Sequence, residues 1–267
     1  MVVGFIYKFL SPEFLRKLKN ETGCSVYLFD TDSCNLYAKR REFIFFIENE
    51  LPVYDEIFSF SKVTTDFFRE TRGLRASFFP FGAREINEVR DVKRDKDVLF
   101  VGSADLRRIF LLEKIKTLVH VYGDRWERNF PLVSTQLRYR ITDHSVWGDE
   151  LNMLLKQANI VLNITRTQFY GAETGVNLRI FEALSAGCFL LTDYCDEIAD
   201  LFDVGSEIET FKTSSEMVDK INYFLSHPDE RNQIAARGHQ KFKQCYTWQA
   251  RARDFAARVN LEASSKD

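Results

Sequence analysis

Residues 171–193 read G-A-E-T-G-V-N-L-R-I-F-E-A-L-S-A-G-C-F-L-L-T-D. Two glycines, Gly171 and Gly175, open the stretch. Residues 176–186 then have the length of a helix, Gly187 stands at its end, and residues 188–192 form a short apolar run. Glycine is common just past a helix end because it accepts positive φ without steric cost. The local reading is loop, helix, tight turn, buried strand. Val176, Ile180 and Leu184 share one apolar helix face with Phe181. Arg179 and Glu182 share another, with small Ala186 one turn further on. The helix start would present the amides of Val176, Asn177 and Leu178, and Gly175 leaves room for a ligand to approach. A helix N-terminus after a glycine suits an anion, and Arg179 supplies a planar cation for phosphate. Glu182 lies about 4.5 Å further along the axis, where a carboxylate can accept from sugar hydroxyls. These residue types in this order point to a nucleotide site. The plain structural reading of the same spacing is a crossover helix bearing a solvated Arg–Glu pair.

The run from Gly175 to Asp193 resembles the signature of GT-B glycosyltransferases of the spore-maturation CgeB-like group, relatives of the "glycosyl transferases group 1" enzymes. The resemblance implies that the Glu of the E-A-x-x-x-G segment, Glu182, binds the ribose of a sugar nucleotide, and that the helix start binds its diphosphate. Better-known retaining members carry a first Glu eight positions upstream of the second. Here Glu173 stands nine positions before Glu182, so it does not carry over as a sugar contact. The resemblance implies a retaining hexosyltransferase, while the displaced motif leaves the stereochemistry open.

The totals bound the alternatives. At 267 residues the chain fits one large or two modest domains. It is 45 % hydrophobic and 28 % charged, as an ordinary globular protein is. A net charge of −2 gives no electrostatic case for nucleic acid. No apolar run is long enough for a transmembrane helix, and the first residues do not read as a signal peptide. Cys24, Cys34, Cys188, Cys195 and Cys245 are scattered without a C-x-x-C, which suggests reduced thiols in a cytoplasmic protein. No metal cluster is visible. The four histidines carry no catalytic argument.

In chain order, residues 2–7 read as a buried strand and Ser11-Pro12 as a helix start. Residues 24–29 are a second strand, finishing in Asp30 and Asp32. Open α/β sheets bind ligands at such carboxyl ends, although both Asp residues would also suit a helix cap. Residues 36–51 read as a helix with a wide apolar side and Lys39, Arg40 and Arg41 nearby. That face suits peripheral contact with an anionic membrane, and it is also the pattern of an ordinary buried helix. Strands at 56–60 and 75–79 flank a helix capped by Ser61. Residues 85–96 are charge-rich and poorly periodic, and read as a linker.

A second βα series follows. Residues 97–101 are a strand, and Gly102-Ser103 turns into a helix over 105–118. The F-V-G-S run resembles the first βα turn of the family's donor domain, and Gly102 could let backbone approach a phosphate or an acceptor. Residues 119–122 are a strand closed by Gly123-Asp124-Arg125-Trp126, which resembles the family's turn near the nucleotide base and also reads as a structural turn. Residues 130–145 read as irregular, with Arg138 and Arg140 facing solvent. A helix over 146–158 and a strand over 159–164 lead to Arg166, a second cation near the phosphates. Helices at 195–202, 214–226, 229–245 and 247–261 and a strand at 207–211 complete the chain.

Alternating strands and helices give an α/β class with parallel sheets. The resemblance implies a GT-B arrangement of two Rossmann-like domains: a shortened acceptor-side domain over 1–84 and a nucleotide-sugar domain over 97–246. The strand at residue two leaves an open edge. The terminal segment 247–267 could cover it by crossing back, as the family's last helix does, or a second copy could, making a homodimer. The expected activity is transfer of a sugar from a nucleoside diphosphate sugar to an acceptor hydroxyl on a polysaccharide, glycolipid or glycoprotein, the acceptor unidentified and a lipid-linked one among the candidates. It would need neither metal nor cofactor and would run in the cytoplasm or at the inner face of the membrane. Any catalytic base would come from Asp30 or Asp32. A subunit that binds a sugar nucleotide without transferring the sugar is the alternative, with an α/β phosphoesterase a third.

Overall fold

A computed structural model of the chain describes residues 2–3, 10–31, 40–86 and 92–264. The strands are β1 (Val2–Val3), β2 (Tyr27–Asp30), β3 (Glu56–Ser59), β4 (Ala76–Phe78), β5 (Lys96–Val101), β6 (Val119–Tyr122), β7 (Ile141–Thr142), β8 (Ala158–Asn163), β9 (Leu190–Asp193) and β10 (Glu209–Phe211). The α-helices are α1 (Pro12–Thr22), α2 (Arg40–Phe45), α3 (Lys62–Arg72), α4 (Leu106–Glu113), α5 (Thr135–Arg138), α6 (Gly148–Lys156), α7 (Thr167–Gly171), α8 (Leu178–Ser185), α9 (Asp196–Leu201), α10 (Ser214–Ser226), α11 (Pro228–Cys245) and α12 (Trp248–Ser264). They form two compact units: Met1–Phe81 with Gln168–Val176, and Gly82–Thr167 with Asn177–Asp267.

The first unit is a parallel sheet in the order β1-β2-β3-β4. Its helices start where local chemistry says they should. Ser11 accepts from the Phe14 amide and Ser61 from the Thr64 amide, each satisfying one orphan donor of a first turn. Gly23 and Gly73 close α1 and α3 with φ of 67° and 61°. Leu15, Phe68, Phe46 and Leu51 pack on Val26, Leu28 and Ile57 to form one core. The alternate strand residues carry aromatic rings. Phe58 meets Phe79 edge to face at 5.6 Å, and Phe60 stacks on Phe81 at 4.7 Å. The helix expected over residues 36–51 is described from Arg40. It passes from α2 into a π turn over Phe46–Glu50 and a 3-10 turn over Leu51–Val53. The upstream part of that helix, Asp32, Cys34, Lys39 and residues 4–7 of the first strand lie outside the described residues.

The second unit is a six-stranded parallel sheet in the order β10-β9-β8-β5-β6-β7. Its strands are apolar on both faces because helices cover a parallel sheet from two sides. Val98, Phe100, Val121, Ile160, Leu162 and Leu191 are at most 1 % exposed, in one core with Ile109 and Leu112 of α4 and with Ile221 of α10. Residues 130–145, read from sequence as irregular, hold the end of a 3-10 turn over Glu127–Leu132, then α5 and β7. The exposed Arg138 is not loose: its guanidinium donates to the carbonyls of Val133 and Phe130. Residues 82–84 pack within this unit. Ala83 pairs with Thr247, and the Ser185 hydroxyl donates to the Arg84 carbonyl at 2.8 Å. Residues 87–91 of the expected linker lie outside the described residues.

Candidate functional site

Strand order in the second sheet reverses at β5. The chain runs outward through β6 and β7, then returns to build β8, β9 and β10 on the other side. Open α/β sheets bind ligands at the carboxyl ends of the strands flanking such a reversal. Here those ends are Gly102-Ser103 after β5 and Thr165-Arg166 after β8, with Asp193 closing β9 beside them.

Side chains from the start of α4 tie these three strand ends together. Arg107 makes a bidentate pair with buried Asp193, and its Nη1 also donates to the Thr165 carbonyl at 3.1 Å. Asp193 in turn accepts from the Thr165 amide at 2.7 Å. Arg108 donates from Nε and Nη2 to the Ile164 carbonyl at 3.0 and 2.7 Å, and from Nη1 to the Ser103 carbonyl at 2.8 Å. Its guanidinium lies over the Phe100 ring. Burial pulls Arg108 down to about 10, partly countered by Asp105, and the nearby charges of Arg166 and Arg107 pull in the same direction as burial. Three guanidinium groups thus converge on one sheet end. Arg166, the second cation that the sequence places near the phosphates, is exposed and donates to the Ser103 hydroxyl at 3.2 Å. The Thr165 hydroxyl is buried without a hydrogen-bond partner among the described residues.

Gly102 and Gly123 meet directly. A Cβ on Gly123, whose φ is 149°, would stand 2.1 Å from the Gly102 carbonyl oxygen. That carbonyl accepts from the indole of fully buried Trp126 at 2.9 Å, and the Gly102 amide donates to the Tyr122 carbonyl at 2.8 Å. Gly123 and Trp126 therefore build the floor of the βα turn.

The helix of the opening stretch, α8, runs Leu178–Ser185, and its cap is Asn177. The expected start at Val176 is corrected by two residues. Val176 is fully buried ahead of the cap, and Asn177 Oδ1 accepts from the Arg179 amide at 3.1 Å. The Ile180 amide turns back to the Asn177 carbonyl at 3.2 Å, so the Leu178 amide is left without an acceptor among the described residues. Gly175 is buried, not open. The apolar face is as read: Ile180, Phe181 and Leu184 are fully buried, each contributing about 1.5–3 kcal/mol.

On the other face Arg179 Nη1 donates to Glu182 Oε2 at 2.7 Å. The pair is half-buried, at 19 % and 25 % side-chain exposure, so it is not a solvated surface pair. Burial pushes the Glu182 carboxyl above its usual range while Arg179 pulls it down. The second carboxylate oxygen, Oε1, takes no hydrogen bond among the described residues.

In the first unit Asp30 closes β2 opposite Ser59. Its carboxylate is buried and accepts from the Ser59 hydroxyl at 2.8 Å, with Thr64 of α3 a further 3.2 Å away. Asp32 lies outside the described residues. Glu173 is exposed in a left-handed turn, φ 55°, after α7. Among the described residues no three His, Cys, Asp or Glu side chains are grouped to hold a metal ion, and no helix is long and apolar enough to cross a membrane.

Residues 107–257, more than half of the chain, match the family model described as "Glycosyl transferase-like". The chain belongs to this family. No curated protein matches it in sequence. Among solved structures, the sucrose-phosphate synthase of Thermosynechococcus elongatus superposes with a TM-score of 0.71 at 12 % identity, over 95 % of this chain and 72 % of that one. Anabaena HepE, in complex with UDP and glucose, superposes with a TM-score of 0.72 at 12 % identity, over 94 % and 76 %. A glycosyltransferase from Rickettsia africae superposes with a TM-score of 0.60 at 10 % identity, over 99 % and 97 %. At such identities these likenesses describe the fold, and it is the GT-B-like α/β fold of two Rossmann-like parallel-sheet units. The family match begins at Arg107, the first of the two arginines that tie the strand ends, and it includes all of α8. Local sequence patterns missed Arg107, Arg108 and Asp193 because their partners lie on other strands, up to 86 positions away.

Proposed function

We propose that this glycosyl transferase-like protein moves a sugar from a nucleoside diphosphate sugar to an acceptor hydroxyl. The observation that carries the reading is the open Oε1 of Glu182 in the same Rossmann-like unit as a cationic sheet end at the topological reversal. Glu182 would accept from the ribose hydroxyls. The diphosphate would lie over the glycine turn at Gly102-Ser103, near Arg166 and the exposed start of α8 at Leu178. Transfer breaks the bond between the anomeric carbon and the diphosphate oxygen and joins that carbon to the acceptor oxygen, whose proton is lost. Negative charge then builds on the diphosphate, and fixed cations and helix-start amides lower the energy of that state. On this reading neither a metal ion nor another cofactor is required.

The donor is a hexose nucleotide, as the UDP and glucose held by HepE suggest, and configuration is retained. Asp30 or Asp32 serves wherever a base is needed. The acceptor is a polysaccharide, glycolipid or glycoprotein handled in the cytoplasm or at the membrane's inner face.

The test incubates the protein with a panel of sugar nucleotides and follows nucleoside diphosphate release, with water or a glycan mixture as acceptor. Release that is unaffected by a chelator is expected. Binding without release from any donor would point to a sugar-nucleotide-binding subunit, and neither binding nor release would remove the reading altogether.

A further inference from the structure

Arg179 stands on α8 three residues before Glu182, where a helix brings side chains onto one face. A free guanidinium there would be an obvious phosphate ligand. The geometry is different. Nη1 is committed to Glu182 Oε2 at 2.7 Å, and Nε is shut off from solvent with no acceptor among the described residues. Both side chains are half-buried, so neither sweeps freely through water. Among the described residues no other cation bears on the Glu182 carboxyl. β8 carries no charged residue, Asp193 of β9 is occupied by Arg107, and α11 meets α8 through His239, whose Nδ1 lies 2.7 Å from the Leu184 carbonyl. Arg179 is also the one charged group that bears on the Glu182 carboxyl among the described residues.

A carboxylate with one oxygen clamped and the other open presents a single acceptor in a fixed direction. The clamp sets the rotamer of Glu182 before ligand arrives, so less side-chain freedom is lost on binding. It also opposes the rise that burial imposes on the carboxyl, favouring the ionised form that accepts from two hydroxyls.

We infer that Arg179 is a positioning residue: it acts on the nucleotide through Glu182, by fixing Oε1 toward the ribose hydroxyls, and not by touching the diphosphate. The inference rests on the nucleotide reading above and refines it. It makes the pair a selector for ribose over 2′,3′-dideoxyribose, with Arg179 and Glu182 acting as one unit.

The experiment is a calorimetric double-mutant cycle with Arg179→Met, Glu182→Gln and the double variant. The probe is whichever of UDP, GDP, ADP and CDP binds the unaltered protein most tightly, together with its 2′,3′-dideoxy analogue and its bare nucleoside. Arg179→Met should weaken the ribonucleotide by about tenfold, as loss of a well-held charged hydrogen bond does. It should weaken the bare nucleoside equally and leave the dideoxy analogue nearly untouched. Adding Arg179→Met to Glu182→Gln should change nothing further. Arg179→Lys, which keeps a cation beside Glu182, should restore part of the loss and serves as the readout if Arg179→Met does not fold. Losses confined to the diphosphate forms, and undiminished in the Glu182→Gln background, would overturn the inference and make Arg179 a phosphate ligand. Failure of the unaltered protein to bind any of the four nucleotides would bring down the nucleotide reading itself, and this inference with it.

Discussion

The indole of Trp126 donates to the carbonyl of Gly102 across 2.9 Å, under the βα turn at the reversal of the second sheet. Gly123 makes the contact possible, since any side chain there would collide with the same carbonyl. Family resemblance puts the glycine turn around Gly123 near a nucleotide base. In the fold, Gly123 and Trp126 shape the turn from below, and on the proposed reading a ligand would meet Gly102, Ser103 and the cations around them.

Gly123→Ala should therefore destabilise the second unit without removing any ligand contact. Strain at φ 149° and a Cβ 2.1 Å from the Gly102 oxygen together should cost at least about 2 kcal/mol. Trp126→Phe leaves the carbonyl without its donor and should cost about 1–3 kcal/mol. Urea denaturation measures both, and a Gly123→Ala variant as stable as the parent would show that the turn relaxes freely.

Arg107 and Asp193 hold β9 to the end of β8. Because Asp193 is 3 % exposed, Asp193→Ala strands a cation and frees the Thr165 amide, a change expected to cost about 3–5 kcal/mol. Arg107→Met combined with Asp193→Ala should cost less than the sum of the two single changes. Additive losses in chemical denaturation would mean that the pair is not coupled.

How much of this was legible in the sequence depends on whether the deciding contact is local. Ser11, Ser61 and Gly23 act within three or four residues, and helices α1, α3 and α10 fall where the pattern sets them. The apolar face of α8 was legible for the same reason. Its start was not, because Val176 continues the apolar spacing although Asn177 supplies the cap. The Arg107–Asp193 and Arg108–Ile164 ties span 86 and 56 positions, and local periodicity carries no trace of such partners. The elements within residues 130–145 escaped because α5 has four residues and β7 two, too few to show a period.

Glu182 should confer a pH dependence on nucleotide affinity. Burial raises its pKa above the ordinary carboxylate range, with Arg179 opposing. The accepting form is the anion, so affinity should fall as pH drops through that raised value, earlier than for an ordinary carboxylate. Glu182→Gln should flatten this component, leaving only the titration of the ligand's phosphate. Identical calorimetric pH profiles for parent and variant would show that Glu182 does not titrate in binding.

Glu182→Ala should raise the Kd for the bound nucleoside diphosphate by roughly 10- to 150-fold, the effect of about 1.5–3 kcal/mol from a charged hydrogen bond. The thermal transition should stay sharp, because the removed carboxylate contributes to neither core. Unchanged affinity in a folded variant would take Glu182 out of the site.

The most direct measurement is a crystal structure of the protein with the nucleoside diphosphate it binds most tightly. The ribose hydroxyls should lie within hydrogen-bond distance of Glu182 Oε1, with the diphosphate over Gly102-Ser103 and beside Arg166. A nucleotide bound elsewhere, or ribose hydroxyls turned away from Glu182, would contradict the account.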